Sequence, residues 1–300
     1  MIKNRFAALA VIILIYILAA FAGYRAFLFF ELDYPYWLSL FLADVAATVV
    51  VFIFSLIFKN ASVYDPYWSV QPTVIIGFLC ARVYVLIKAL DALTEKLTGN
   101  PGGDFFLSPV FIFLVITVLF WSLRLTINWA YNFKSFEYQD WRYVMLKEKT
   151  GRAYPLINFF GIHLFPTCVV YLCVLPVVVA LFDGADFGFL SAVFISVSFL
   201  AAIFQGIADV QMHKFRNSGG VGFIRTGLWK HSRHPNYACE ILMWWGIGLA
   251  CVIAIGDKWF LLAGAVVNTL MFLFVSIPMA DKHQSRKPGF EEYKKATRML

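Results

Sequence analysis

The sequence predicts an all-α fold, a polytopic transmembrane helical bundle of about eight spans. Three observations carry this. Of 300 residues, 61% are hydrophobic and only 14% charged, with a mean hydropathy of +0.75. The apolar residues fall in runs long enough to cross a bilayer, each about 20 residues. The cations fall almost entirely on alternate connections between those runs. A soluble fold has no core large enough to hide that much apolar surface, and a disordered chain would not carry it.

In order, the spans are expected at residues 6–30, 37–58, 72–90, 105–131, 158–181, 187–208, 237–255 and 259–280. The first is too long for a removed signal peptide, and its flank is poor in small-residue cleavage sites. The last two are joined by Gly256-Asp257-Lys258, short enough for a tight hairpin. Between the fourth and fifth, Phe136 to Leu146 reads as an amphipathic helix on the membrane surface, anchored by Trp141, Tyr143 and Leu146. No internal repeat or soluble linker appears, so residues 1–300 are expected to form a single integral membrane domain. The five cysteines (Cys80, Cys168, Cys173, Cys239, Cys251) form no C-x-x-C pair and lie in apolar runs, which excludes a disulfide scaffold and weakens a zinc or dithiol reading.

The formal net charge is +7. Its distribution points to membrane topology, and no nucleic-acid partner is expected. With Lys88 counted in the third loop, 19 Lys and Arg lie on one side and 3 on the other, leaving Arg25, Arg82 and Arg124 within spans. Cations concentrate on the cytoplasmic side, so both termini are expected there. The long connections at 132–158 and 209–236, with the tail from Asp281, lie on that same side.

One of these connections carries chemistry. Between Asn217 and Tyr237, glycines 219, 220, 222 and 227 alternate with Arg225, Lys230 and Arg233, and Pro235 suits the first turn of the next helix. A helix start with free N–H groups among cations is an anion site suited to a phosphate-bearing cofactor, though a basic loop against lipid headgroups reads the same way. Asn236, Tyr237 and Glu240 share a face of that helix. A carboxylate within a span usually faces a cavity or a partner, and Arg124, Asn128, Gln205 and Asp209 are expected at the same depth. The plain alternative is a structural ion pair of Arg124 with Glu240. Five histidines, with His231-x-x-His234 the only close pair, are too few for a di-iron site, and no metal is expected.

A second candidate is Asp65, in the segment Val63 to Pro72. A carboxylate among Tyr64, Tyr67 and Trp68 is a candidate proton donor; equally, Asp-Pro is turn chemistry and the aromatics suit an interfacial belt.

Ser232 to Glu240, followed by Trp244-Trp245-Gly246, resembles the C-terminal signature of the steroid 5-alpha-reductase superfamily. The likeness is strongest to its membrane branch described as a domain of unknown function and related to 3-oxo-5-alpha-steroid 4-dehydrogenase. Asp65-Pro-Tyr-Trp-Ser, Arg124 to Trp129, Asp140-Trp-Arg-Tyr143 and Lys287 to Lys294 extend it, from about residue 63 to 300. Isoprenylcysteine and phospholipid methyltransferases share the Arg-His-Pro-x-Tyr core. The resemblance implies a bundle that holds NADPH at its cytoplasmic end and reduces a carbon–carbon double bond in a hydrophobic, steroid- or lipid-like substrate. It implies cofactor contacts from Asn236 and Glu240, with Arg233, His234 and Tyr237 lining phosphate and ribose. Basic tail residues, Arg286 and Lys287, would close the site beside Tyr293. Asp281 stands where related tails often carry Glu, and Trp121 stands near the position of the relatives' catalytic Tyr.

The expected activity is therefore an NADPH-dependent oxidoreductase acting on CH–CH groups. Asp65 and Tyr237 are the candidate catalytic acids, and Trp68, Trp121, Arg124 and Asn128 the candidate pocket. One alternative is an S-adenosylmethionine-dependent methyltransferase of a lipid or isoprenylcysteine. Another is a non-catalytic lipid-binding membrane protein.

Overall fold

A computed structural model describes residues 2–98 and 108–300. Among these, regular structure is helical apart from one isolated parallel bridge, Ser232 to Arg298. Eight helical segments of the described residues are long and apolar enough to cross a membrane. The chain divides into two compact units, Met1–Tyr171 and Leu172–Leu300, with the division inside one helix.

In the first unit, α1 (Arg5–Phe30) starts where the Asn4 side chain accepts from the Ala7 N–H at 3.0 Å. Its buried residues Ala8, Ile12, Ile15, Ala19, Gly23 and Phe27 form one stripe, while Ile13, Leu14, Ile17, Leu18 and Phe21 face outward. A helix apolar all round has lipid for its solvent on the outer face. The stripe packs on α2 (Tyr36–Ile57) through Ala47 and Val51, and Tyr64, Tyr67, Phe133 and Phe136 complete the cluster.

α3 (Tyr67–Thr98) is longer at both ends than the expected 72–90, and Pro72 lies inside it. The helix starts early because the Pro66 carbonyl already accepts from the Ser69 and Val70 N–H groups. α4 (Pro109–Asn132) is capped by Ser108, whose hydroxyl accepts from Phe111 N–H at 3.1 Å; the expected start at residue 105 lies outside the described residues.

The surface-helix expectation is corrected. Phe136 is buried in a turn, and α5 (Trp141–Thr150) begins only where Asp140 caps it. Tyr143 and Leu146 point inward, onto Ala61, Ile162 and Tyr154, instead of anchoring in lipid. The chain then continues as helix through α6 (Tyr154–Ile157), a π-helical turn at Asn158–Leu164, and α7 (Phe165–Phe182).

In the second unit, α8 (Phe189–Asn217) runs nine residues past the expected end at 208, so the 209–236 connection is partly helix. α9 (Pro235–Ile255) has Pro235 at its first turn, as expected. It lies close against α8. A Cβ on Gly246 would come within 2.8 Å of the Phe194 carbonyl oxygen, and Ser198 Oγ donates to Met243 O at 2.9 Å.

The last span is α10 (Ala263–Met271), a π-helical turn at Phe272–Ser276, and α11 (Ile277–Gln284). α12 (Phe290–Ala296) follows. Gly264 sits on the α7 backbone: a Cβ there would lie 2.2 Å from Leu172 O.

Candidate functional site

The connection between α8 and α9 is pinned before it reaches Pro235. Trp229 Nε1 donates to Ala208 O at 3.0 Å, and Leu228 N–H donates to Gln211 Oε1 at 3.0 Å. The tail then pairs with it. Arg233 N–H donates to Arg298 O at 3.0 Å, and Arg298 N–H to His231 O at 3.1 Å. Ser232 Oγ accepts from His234 N–H at 3.0 Å, fixing the backbone just ahead of the helix.

Asp281, at the end of the last span, gathers the two residues that follow. Arg233 Nε donates to its carboxylate at 3.1 and 3.2 Å and Nη2 at 3.1 Å, while His234 Nε2 lies 2.8 Å from Oδ1. Because Arg233 is committed to Asp281, it is not a free phosphate cation. His234 stacks flat on Tyr237, ring centroids 5.3 Å apart, and Tyr237 packs on Phe272 at 4.8 Å. Burial holds the His234 imidazole below its usual range; the Asp281 hydrogen bond opposes this and the Arg233 charge adds to it.

One face of α9 meets one face of α8. Glu240, 3% exposed, accepts from Gln205 Nε2 at 2.7 Å and from Trp244 Nε1 at 2.9 Å. Asn236 Nδ2 donates to Asp209 Oδ1, and Gln205 Nε2 also reaches Asn236 O at 3.2 Å. Both amides turn their N–H₂ ends to carboxyl oxygens, so Glu240 and Asp209 set which way the two amides point. The consequence is two buried carbonyl oxygens, Gln205 Oε1 and Asn236 Oδ1, without a donor. A buried acceptor without a partner costs about 1–3 kcal/mol, so this pair suits a group that donates, a water or a ligand.

Arg225, Lys230, Arg286 and Lys287 are exposed. Tyr293 is buried, stacked on Phe223 at 4.7 Å and 7°, with Lys287 Nζ over the Phe223 ring at 5.9 Å. Burial raises the Tyr293 phenol, which stays protonated.

The first unit holds the other candidates. Asp65 accepts from the Tyr143 hydroxyl at 2.5 Å, which joins the two expected motif segments, Asp65-Pro-Tyr-Trp-Ser and Asp140-Trp-Arg-Tyr143, in one contact. Asn60 holds the intervening chain by donating to Phe136 O and Tyr138 O, both at 2.9 Å. Trp68 and Trp121 lie 6.0 Å apart at 60°, and Ser69 and Thr126 hydroxyls at 2.9 Å tie α3 to α4. Trp121 is fully buried; Arg124 and Asn128 are half-buried on α4.

Sequence reasoning assigned Tyr143 to lipid and passed over Asp44 and the Phe223–Tyr293 stack. The signal for Tyr143 was its place in an Asp-Trp-Arg-Tyr run. Asp44 is a lone acid in a span, and that alone marks a position for attention.

Three comparisons bear on this chain. The family described as a protein of unknown function (DUF1295) matches residues 51–297. A protein of Schizosaccharomyces pombe (strain 972 / ATCC 24843), itself called uncharacterized protein C594.04c, is 30% identical over 161 residues, which cover 45% of this chain and 46% of that relative. The chain thus spans less than half the length of the curated relative it matches. No solved structure matches.

Proposed function

Because the chain belongs to the DUF1295 family of proteins of unknown function, we propose from its site chemistry that it is an NADPH-dependent reductase of a double bond in a hydrophobic substrate. The observation that carries this reading is the pair of donor-seeking oxygens, Gln205 Oε1 and Asn236 Oδ1. A carboxamide N–H₂ carries two donors for two such acceptors, and the exposed Arg225, Lys230, Arg286 and Lys287 suit phosphates. The likeness of Ser232 to Glu240 and of Asp65-Pro-Tyr-Trp-Ser to the steroid 5-alpha-reductase superfamily supports the same reading.

When bound, NADPH supplies the hydride. The chain's own residues then have separate tasks. Glu240 and Asp209 orient Gln205 and Asn236; they act as positioning residues. Asp281 fixes Arg233 and His234 at the start of α9. In the first unit, Asp65 and Tyr143 form an acid–phenol pair able to hold a proton. Tyr237, expected as an acid, stacks between His234 and Phe272, a place that suits shaping the site.

A second reading, methyl transfer from S-adenosylmethionine, draws on the same acceptor pair, which would also take an ammonium. The two are separated by incubating purified protein and a membrane lipid extract with NADPH deuterated at nicotinamide C4, or with methyl-deuterated S-adenosylmethionine. Deuterium entering a lipid from NADPH, with loss of a double bond, is the expected result. Label arriving only from the methyl donor overturns the reductase reading.

A further inference from the structure

The first unit contains a second polar centre that the reductase reading does not use. Asp44 lies on the inner face of α2 and is 5% exposed. It stands eight residues in from Tyr36, about 12 Å along the helix. Its carboxylate accepts from Tyr67 Oη at 2.8 Å and from Gln71 Nε2. No ion pair among the described residues involves it. A carboxylate inside a membrane span without a cation is expensive, and such residues usually mark a site.

Gln71 supplies the independent observation. It is 4% exposed, and its carbonyl oxygen has no hydrogen-bond partner. Turning the amide over would only exchange the orphan, because one end faces Asp44 and the other faces nothing. A water on that oxygen would satisfy it and leave the carboxylate charge uncompensated. Protonating Asp44 would remove the charge and, with the amide turned over, supply one donor, but by itself it would still leave the other end of the Gln71 amide without a partner. One group answers both deficits: a cation that carries several N–H donors.

The surroundings suit such a cation. The Tyr67 ring packs against Tyr64 at 5.4 Å and Tyr16 at 5.8 Å, so the phenol beside the carboxylate is part of an aromatic wall. One turn beyond Asp44, Thr48 Oγ1 lies 3.0 Å from Thr167 Oγ1, which in turn is 2.9 Å from Tyr64 Oη. These hydroxyls satisfy one another, so none of the three is left to donate to Gln71 Oε1. Val74, three residues after Gln71 on α3, is 46% exposed, so apolar surface for an alkyl tail lies one helical turn from the amide.

We propose that Asp44 and Gln71 form a binding site for the ammonium head group of a long-chain amine, with the carboxylate pairing the charge and Gln71 Oε1 accepting a second N–H. The site lies wholly in the first unit and does not rest on the cofactor reading.

The test uses the full chain in lipid nanodiscs with two probes of equal length, tetradecylamine and tetradecanol, and reads the melting temperature at increasing probe concentration. The amine is expected to raise it and the alcohol to leave it unchanged. Asp44→Asn keeps the shape and removes the charge, and it should weaken the amine by about a hundredfold. If that variant does not fold, Gln71→Met, which removes the orphan oxygen, should weaken the amine by about tenfold. Equal stabilisation by both probes overturns the proposal. So does an amine response in folded Asp44→Asn as large as in the parent, or, where Asp44→Asn does not fold, an unchanged response in Gln71→Met.

Discussion

Glu240 shows how a single residue connects packing to binding. Both of its oxygens already accept from the chain, so its service to a ligand is indirect, through the Gln205 amide it orients. Glu240→Gln replaces one oxygen by an amine that cannot accept from Gln205 or Trp244. Stability should fall by about 1–3 kcal/mol, and NADPH affinity with it, because Gln205 is then free to turn over. Thermal melting and nucleotide titration on the one purified variant check both; lost stability with intact affinity would show that Glu240 only packs. His234 gives a pH signature. Burial holds it below its unfolded value of 6.5, so below that pH the unfolded chain binds more protons than the folded one. Its contribution is complete above 6.5 and is lost as pH falls toward the folded value. The melting temperature should therefore drop between about pH 7 and pH 5, and His234→Gln should flatten that slope. At this scale the sequence was legible for Asn236, Glu240 and Asp65, where a polar group in an apolar run is itself a signal. For Tyr143 only the Asp-Trp-Arg-Tyr run is a signal, because an aromatic near a membrane surface looks the same whether it faces lipid or, as here, a carboxylate.

At the scale of elements, apolar runs located the helices and did not set their ends. α3 and α8 continue past their apolar stretches because nothing in Lys88 to Thr98 or Asp209 to Asn217 breaks a helix. Pro72, which resembles a boundary, is carried inside α3 because the helix was already started at Pro66. The pairing of the tail with the start of α9 has no sequence signature at all, since Ser232 and Arg298 are joined through backbone groups. Close helix contacts, by contrast, depend on single glycines. Gly264→Ala would place its Cβ within 2.2–2.5 Å of the Leu172 and Cys173 backbone, which has no flexible end to move aside. That substitution should cost about 1–3 kcal/mol, read as a lower melting temperature, whereas Gly77→Ala, with open space around it, should cost little.

For the whole molecule, the cation split of 19 to 3 expects both termini on the cytoplasmic side. Single cysteines at position 258, between α9 and the last span, and at position 294, in α12, should label from opposite sides of sealed vesicles. Reaction of the Lys258→Cys site from the cytoplasmic side with none at Lys294→Cys would reverse the orientation.

On the proposed function, the second unit takes a nucleotide with a carboxamide at one end and an extra phosphate at the other. Arg225, Lys230, Arg286 and Lys287 remain exposed after Arg233 is committed to Asp281, more cations than a diphosphate needs. The direct measurement is titration of the purified protein in detergent, at one fixed salt concentration, with NADPH, NADH and S-adenosylmethionine. NADPH should bind at least about tenfold more tightly than NADH, a difference of about 1.4 kcal/mol from the added phosphate contacts. Equal affinity for NADPH and NADH, or binding of S-adenosylmethionine in their place, would overturn the NADPH-reductase proposal.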